Sequence, residues 1–169
     1  MAKTPKMLAD LFHDTLKDVY FAEKKIYATL PKMAKAAQNE DLQAAFEKHH
    51  GETEGQIKRL EDVFDEIGEK PQGKTCDAIM GILDEGAEIM DEYKGSPALD
   101  AGLLAAAQAV EHYEISRYGT LYAWADELGY SKAVKLLEAT LDEEEAADEA
   151  LSALAETVIN QEAEVEAVD

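Results

Sequence analysis

Leu16-Lys-Asp-Val-Tyr-Phe-Ala-Glu-Lys-Lys-Ile-Tyr-Ala-Thr-Leu30 sets Leu16, Val19, Ile26 and Leu30 at spacings of three and four, with Glu23 where the next apolar residue belongs. That period is a helical stripe. It extends outward in both directions, through Leu8 and Phe12 on one side and Met33 and Ala37 on the other. Three more stripes follow. The second reads Leu42, Ala45, His49, Glu52, Gln56, Leu60, Val63, Ile67. The third reads Ala101, Leu104, Gln108, Glu111, Ile115, Tyr118, Tyr122, Ala125. The fourth reads Val134, Leu137, Leu141, Glu144, Asp148, Leu151, Ala155, Val158. Each is interrupted by acid near its middle.

Punctuation between the stripes defines the helices. The first is expected from about Pro5 to Ala37, kinked or cut short at Pro31. The second follows Asn39 and ends near Gly68. Pro71 and Gly73 then break the chain. A short crossover helix is expected from about Cys76 to Tyr93. Ser96 and Pro97 suit the N-cap and first turn of the third long helix, which Gly129 stops. Ser131 is the expected N-cap of the fourth, which runs to about Asn160. The connections are short, long, short. Short links make antiparallel hairpins, and the crossover over residues 69–96 returns the chain along their length. An all-α, four-helix bundle with one long crossover, the ferritin-like arrangement, is the predicted fold. Residues 1–160 form one domain in this reading, and 161–169 an acidic, flexible tail.

The heights of the acids agree. Glu23 lies 16 residues before Asn39 and Glu52 lies 13 after it. Glu111 and Glu114 lie 18 and 15 residues before Gly129, and Glu144 lies 15 after it. At a helical rise of about 1.5 Å per residue, all sit roughly 20–27 Å from their turns, in one layer. With Asp148, one turn beyond Glu144, six carboxylates face an apolar interior. Each buried charge costs several kcal/mol without a partner. Two divalent cations would supply four positive charges. Oxygen-rich ligation with an occasional nitrogen suits iron or manganese, with zinc the further option. A lone glutamate in such a stripe is usually half of an ion pair; four at matched height point to metal.

Composition excludes other classes. The 169 residues carry 37 acidic and 16 basic side chains, a net charge of −21. Nucleic acid and anionic membranes would be repelled. Cys76 is the single cysteine, so neither an internal disulfide nor a thiolate metal site is available. No signal peptide or membrane span is legible, and a cytoplasmic location is expected. The sequence shows no nucleophile–histidine–acid constellation and no phosphate-binding glycine loop.

Four segments carry a resemblance: Asp18-Val-Tyr-Phe-Ala-Glu-Lys24, His49-His-Gly-Glu-Thr-Glu-Gly-Gln56, Gln108-Ala-Val-Glu-His-Tyr-Glu-Ile115 and Leu141-Asp-Glu-Glu144. Together they resemble the YciF/YciE family of bacterial stress-associated, ferritin-like proteins, from about Met7 to Ala155. More distantly, the layout is similar to the diiron domain of rubrerythrins, whose pattern is Glu, Glu-x-x-His, Glu, Glu-x-x-His. By that resemblance Glu23 and Glu111 are the single-helix ligands, Glu114 an additional one, and Glu52 and Glu144 the bridging glutamates of two ions, iron first. The histidines of the pattern are missing: Gly55 and Ala147 stand in their places. Gln56 and Asp148, one residue further on, and His49, one turn before Glu52, are the candidate replacements. The literal Glu47-x-x-His50 match lies off the stripe. His13 and His112 read as surface or core-edge residues. Tyr20, Tyr113 and Tyr118 lie within a turn or two of the acids, where tyrosine more often packs than reacts.

Three functions are compatible with this pattern. One is a dinuclear oxidase or peroxidase acting on dioxygen or hydrogen peroxide. It would be fed by a separate electron donor, since no rubredoxin-type cysteine domain is present. The second is a metal buffer without turnover. The third is a structural or interaction bundle with no working metal site. A homodimer is the expected assembly.

Overall fold

The computed structural model describes residues 5–164, and within them the chain is all-helical. Helix α1 spans Leu8–Ala36, α2 Glu40–Glu66, α3 Asp77–Glu92, α4 Leu99–Leu128 and α5 Ser131–Leu154. A π-helical turn, Ala155–Ile159, leads into a last short helix, α6, Asn160–Ala163. Of the segment read as a tail, residues 161–163 continue this helix, and 165–169 lie outside the described residues.

Four long helices close a ring, α1 on α2, α2 on α5, α5 on α4 and α4 on α1. Side-chain bonds give the directions. Tyr20 reaches Glu61 while Gln43 reaches the Ala37 carbonyl, and Glu23 reaches Tyr118 while Gln38 reaches Asp100. Gln56 reaches Glu143 while Asn39 reaches Glu162. Every neighbouring pair in the ring that these bonds join is therefore antiparallel, and α2 and α4 run parallel across the diagonal. Helix α3 lies on the outside against α4 and α1.

Two apolar clusters fill the ring, one on each side of the acidic layer. Phe12, Leu16, Leu60, Phe64, Leu121 and Leu137 anchor one. Ile26, Leu30, Leu42, Phe46, Leu103 and Leu151 anchor the other. Burying each such side chain contributes about 1.5–3 kcal/mol, which holds the carboxylates between two dry blocks.

Several boundaries differ from the sequence reading. Pro31 does not end α1. It lies on the exposed face of the helix, which continues through it to Ala36 with one hydrogen bond fewer. Ser96 and Pro97 stand in a turn before α4, whose N-cap is Ala98; the Ser96 hydroxyl accepts from the Ala98 N–H instead. Ser131 is the first residue of α5, not its cap. Glu66 of α2 accepts from the N–H groups of Lys132 and Ala133, so the cap comes from the neighbouring helix. The π-turn adds a residue to the last stripe, and Ile159 is buried where Val158 was expected.

Asp100, in the first turn of α4, is buried and accepts from the Gln38 and Asn39 N–H groups at 2.7–3.1 Å. It ties the α1–α2 turn to α4 through charge-assisted bonds, each stronger than a neutral one. Helix α4 also buries a second face, with Leu103, Val110 and Tyr113, because α3 covers it. Gly102 makes that approach feasible: a Cβ there would lie 2.6 Å from Ile89 Cγ2.

Candidate metal centre

The acidic layer converges on His49. Its Nε2 lies 3.3 Å from a Glu111 oxygen, 3.6 Å from Glu144 and 4.0 Å from Glu114. One ligand atom from each of these four residues falls within 4.8 Å of all the others. The second ring nitrogen, Nδ1, lies 3.6 Å from Glu52. The Tyr118 hydroxyl donates to Glu23, whose free carboxyl side faces Glu114. Every long helix thus contributes at least one carboxylate, and α2 adds an imidazole.

Protein donors do not satisfy this layer. Both oxygens of Glu114 and of Glu144 are buried without a hydrogen-bond partner. So are one oxygen each of Glu23, Glu52 and Glu111, and both nitrogens of His49. Native interiors leave few buried polar atoms unpaired, and such a concentration calls for a missing cation or proton. The donors are carboxylate oxygen and imidazole nitrogen, which fit iron, manganese or zinc. The orphaned atoms are the ones an ion would engage, and the residues therefore fit such a group.

Electrostatics carry the same message. Burial, then the charge of Glu144, pushes the Glu23 carboxyl up to about 8, against the opposing Tyr118 bond. Burial pushes Glu111 to about 7, opposed by the adjoining Glu144 carboxyl and aided by Glu23 and Asp148. Glu114 and Glu144 rise well above the usual carboxylate range, burial first and neighbouring acids next. Burial works to lower His49, but Glu52, Glu144 and Glu23 overcome it and raise the imidazole. The His49 imidazole beside it, followed by Lys48, holds the partly exposed Glu52 below the usual range in spite of burial. Without cations, the layer must hold protons to survive.

Not every sequence candidate joins the layer. Asp148 does not: its carboxylate accepts from Gln108 at 3.1 Å and lies 3.1 Å from the exposed His112. Four residues past Glu144 the helix has turned about 40° beyond a full circle, enough to carry Asp148 to the outer seam between α4 and α5. Gln56 is buried beside the layer, with its Nε2 donating to Glu143 at 3.1 Å and its Oε1 unpartnered. His50 stacks on Tyr27, away from the layer. Cys76 is buried with Sγ 3.2 Å from the Tyr113 hydroxyl. The sequence reading missed the Arg59–Glu143 pair, a two-pronged bridge at 2.6 and 2.7 Å between α2 and α5. Arg59 also donates to Thr140 at 3.2 Å and so fixes the two helices beside the acids. Both look like surface charges until the register of the helices is known.

A family profile described as a domain of unknown function, DUF892, matches residues 7–164. The chain belongs to the DUF892 family. Protein YciF of Escherichia coli K12 is 44% identical over 160 residues, which cover 94% of this chain and 96% of YciF. The crystal structure of that stress protein matches with a TM-score of 0.88 at 43% identity, over 93% of this chain and 99% of YciF. YcfI of Rhodopseudomonas palustris, provisionally described as a structural protein, matches at 0.85 and 45% identity, over 90% of this chain and 97% of its own. A Xanthomonas campestris protein at 19% identity shares the fold, at 0.69, over 91% of this chain and 94% of its own. This DUF892 chain is therefore YciF-like in sequence and in helical architecture. Among its described residues, no helix is long and apolar enough to cross a membrane.

Proposed function

We propose that this chain is a ferritin-like stress protein whose four long helices hold two metal ions, iron first and manganese or zinc as alternatives. The observation that carries the reading is the ring of buried carboxylate oxygens around His49 with no donor to meet them. Glu23, Glu52, Glu111, Glu114 and Glu144 supply five negative charges, and His49 supplies nitrogen. Glu52 stands beside Nδ1 of His49 and Glu144 beside Nε2, so the two would offer carboxylate oxygens on either side of the imidazole. Tyr118 holds Glu23 in place through its hydroxyl. Burial and the nearby Glu23 and Glu114 charges push that phenol well up, so it stays a donor. The Arg59–Glu143 bridge sets the α2–α5 spacing.

A pair of redox-active ions would supply the two electrons that peroxide cleavage needs. The apolar blocks above and below exclude bulk water from the site. A separate electron donor, a homodimeric assembly and a cytoplasmic location belong to the same reading. The test is hydrogen peroxide consumption by the iron-loaded protein with a chemical reductant. Turnover well above that of free iron supports an oxidoreductase. Stoichiometric iron without turnover assigns a metal buffer. The description given to YcfI favours a second reading, a structural bundle with protonated acids, in which chelation leaves stability unchanged.

A further inference from the structure

Glu52 is the one carboxylate of the centre that reaches solvent. Its side chain is 23% exposed, against 3% or less for Glu111, Glu114 and Glu144. A cleft between α2 and α5 opens beside it. Lys48 and Glu52 on one helix and Ala147 and Ala150 on the other form its rim; His49 and Glu111 form its floor. It offers about 40 Å³ of space to small molecules, where about 10–15 Å³ suffices for one water. Its two α5 rim residues carry only methyl groups, and a longer side chain at either would close the gap.

We propose that this cleft is the route by which hydrated divalent cations enter and leave the centre, with Glu52 receiving the ion at the mouth and Lys48 latching it. The proposal rests on the metal-centre reading above. Polar atoms run inward at short intervals. Glu52 lies 3.6 Å from His49 Nδ1, and His49 Nε2 lies 3.3 Å from Glu111. A cation can exchange water for ligands stepwise along that line. A second opening that touches Glu111 lies on the α3 side. It offers about 10 Å³ and is lined by Ile26, Leu30, Met33 and Leu83, with Thr29 as its one hydroxyl. Stripping water from a cation there has little to offset it. At the α2–α5 mouth, Lys48 binds the outer oxygen of Glu52 with its own side chain 67% exposed. Exposed pairs of this kind contribute little stability, so the latch opens readily, yet while closed it neutralises Glu52 and repels an incoming cation.

The test is the rate of Co(II) uptake by metal-free protein, followed through cobalt's visible absorption in stopped flow, with bound cobalt measured at equilibrium. Ala150→Trp, at an exposed rim position that is not itself a candidate ligand, is expected to slow uptake tenfold or more. Lys48→Ala is expected to speed it several-fold. Both should bind as much cobalt as wild type at equilibrium. Uptake by Ala150→Trp within twofold of wild type overturns the route and leaves the metal centre standing. Should the tryptophan disturb folding, Lys48→Ala decides alone, and an unchanged rate overturns the latch. Failure of the wild-type protein to bind cobalt overturns the centre and the route together.

Discussion

Glu144→Gln removes metal binding and at the same time stabilises the metal-free protein at pH 8. The two effects have one cause. Glu144 is fully buried, both its oxygens lack donors, and burial drives its carboxyl well above the usual range. In metal-free protein at pH 8, folding must either bury that charge or take a proton from a solution that holds few. Glutamine has the same shape and no charge to neutralise. Replacing buried ion pairs by well-packed neutral residues is often neutral or stabilising by about 1–4 kcal/mol, and removing an unpaired buried charge should give a gain of that order in urea denaturation with chelator. At pH 4 the glutamate is mostly protonated in both states, and most of the gain should vanish. Glu52→Ala and Glu144→Ala should each lose at least one ion with helical content intact. Normal metal stoichiometry in the double variant would contradict the site assignment.

Stability of the stripped protein should fall as pH rises from about 5 to 8, while that of the loaded protein should not. Glu23 titrates near 8 and Glu111 near 7 in the folded chain, and Glu114 and Glu144 well above the usual range. In the unfolded chain all four release their protons near 4.5. A group raised on folding stabilises fully below its unfolded value, and the contribution is lost as pH climbs through its folded value. Raised His49 acts in the same direction. Each proton held only by the folded state gives a slope of about 1.4 kcal/mol per pH unit, so the loss across the window is on the order of several kcal/mol. The decline between pH 6 and 8 is carried by the buried layer. Metal ligands must be deprotonated, so binding strengthens as pH rises. Melting curves with chelator and with saturating metal should therefore diverge towards pH 8. Parallel curves would mean that the acids do not face a common cation.

The stripe of α1 was legible residue by residue. Phe12 to Ala37 are buried in the expected register, Glu23 among them, because a helix with one apolar face writes that face into its period. The matched heights of Glu23, Glu52, Glu111, Glu114 and Glu144 were legible as well, since residue counts from a turn convert directly into distance. Asp148 was misread because an offset of about 40° is finer than a three–four spacing resolves. Val110 and Leu103 were missed because α3 buries a second face of α4, and a packing partner leaves no local mark. The cap of α5 by Glu66 and the Arg59–Glu143 bridge depend on how α2 meets α5. His49 was recognised on its stripe, but only the fold shows that it stands at the centre of the acids.

The most direct test is the metal content of protein purified without chelator, read by elemental mass spectrometry. About two ions of iron, manganese or zinc per chain are expected, lost together in Glu144→Gln. Metal-free protein that refuses all three on reconstitution, yet melts cooperatively, would contradict the metal centre.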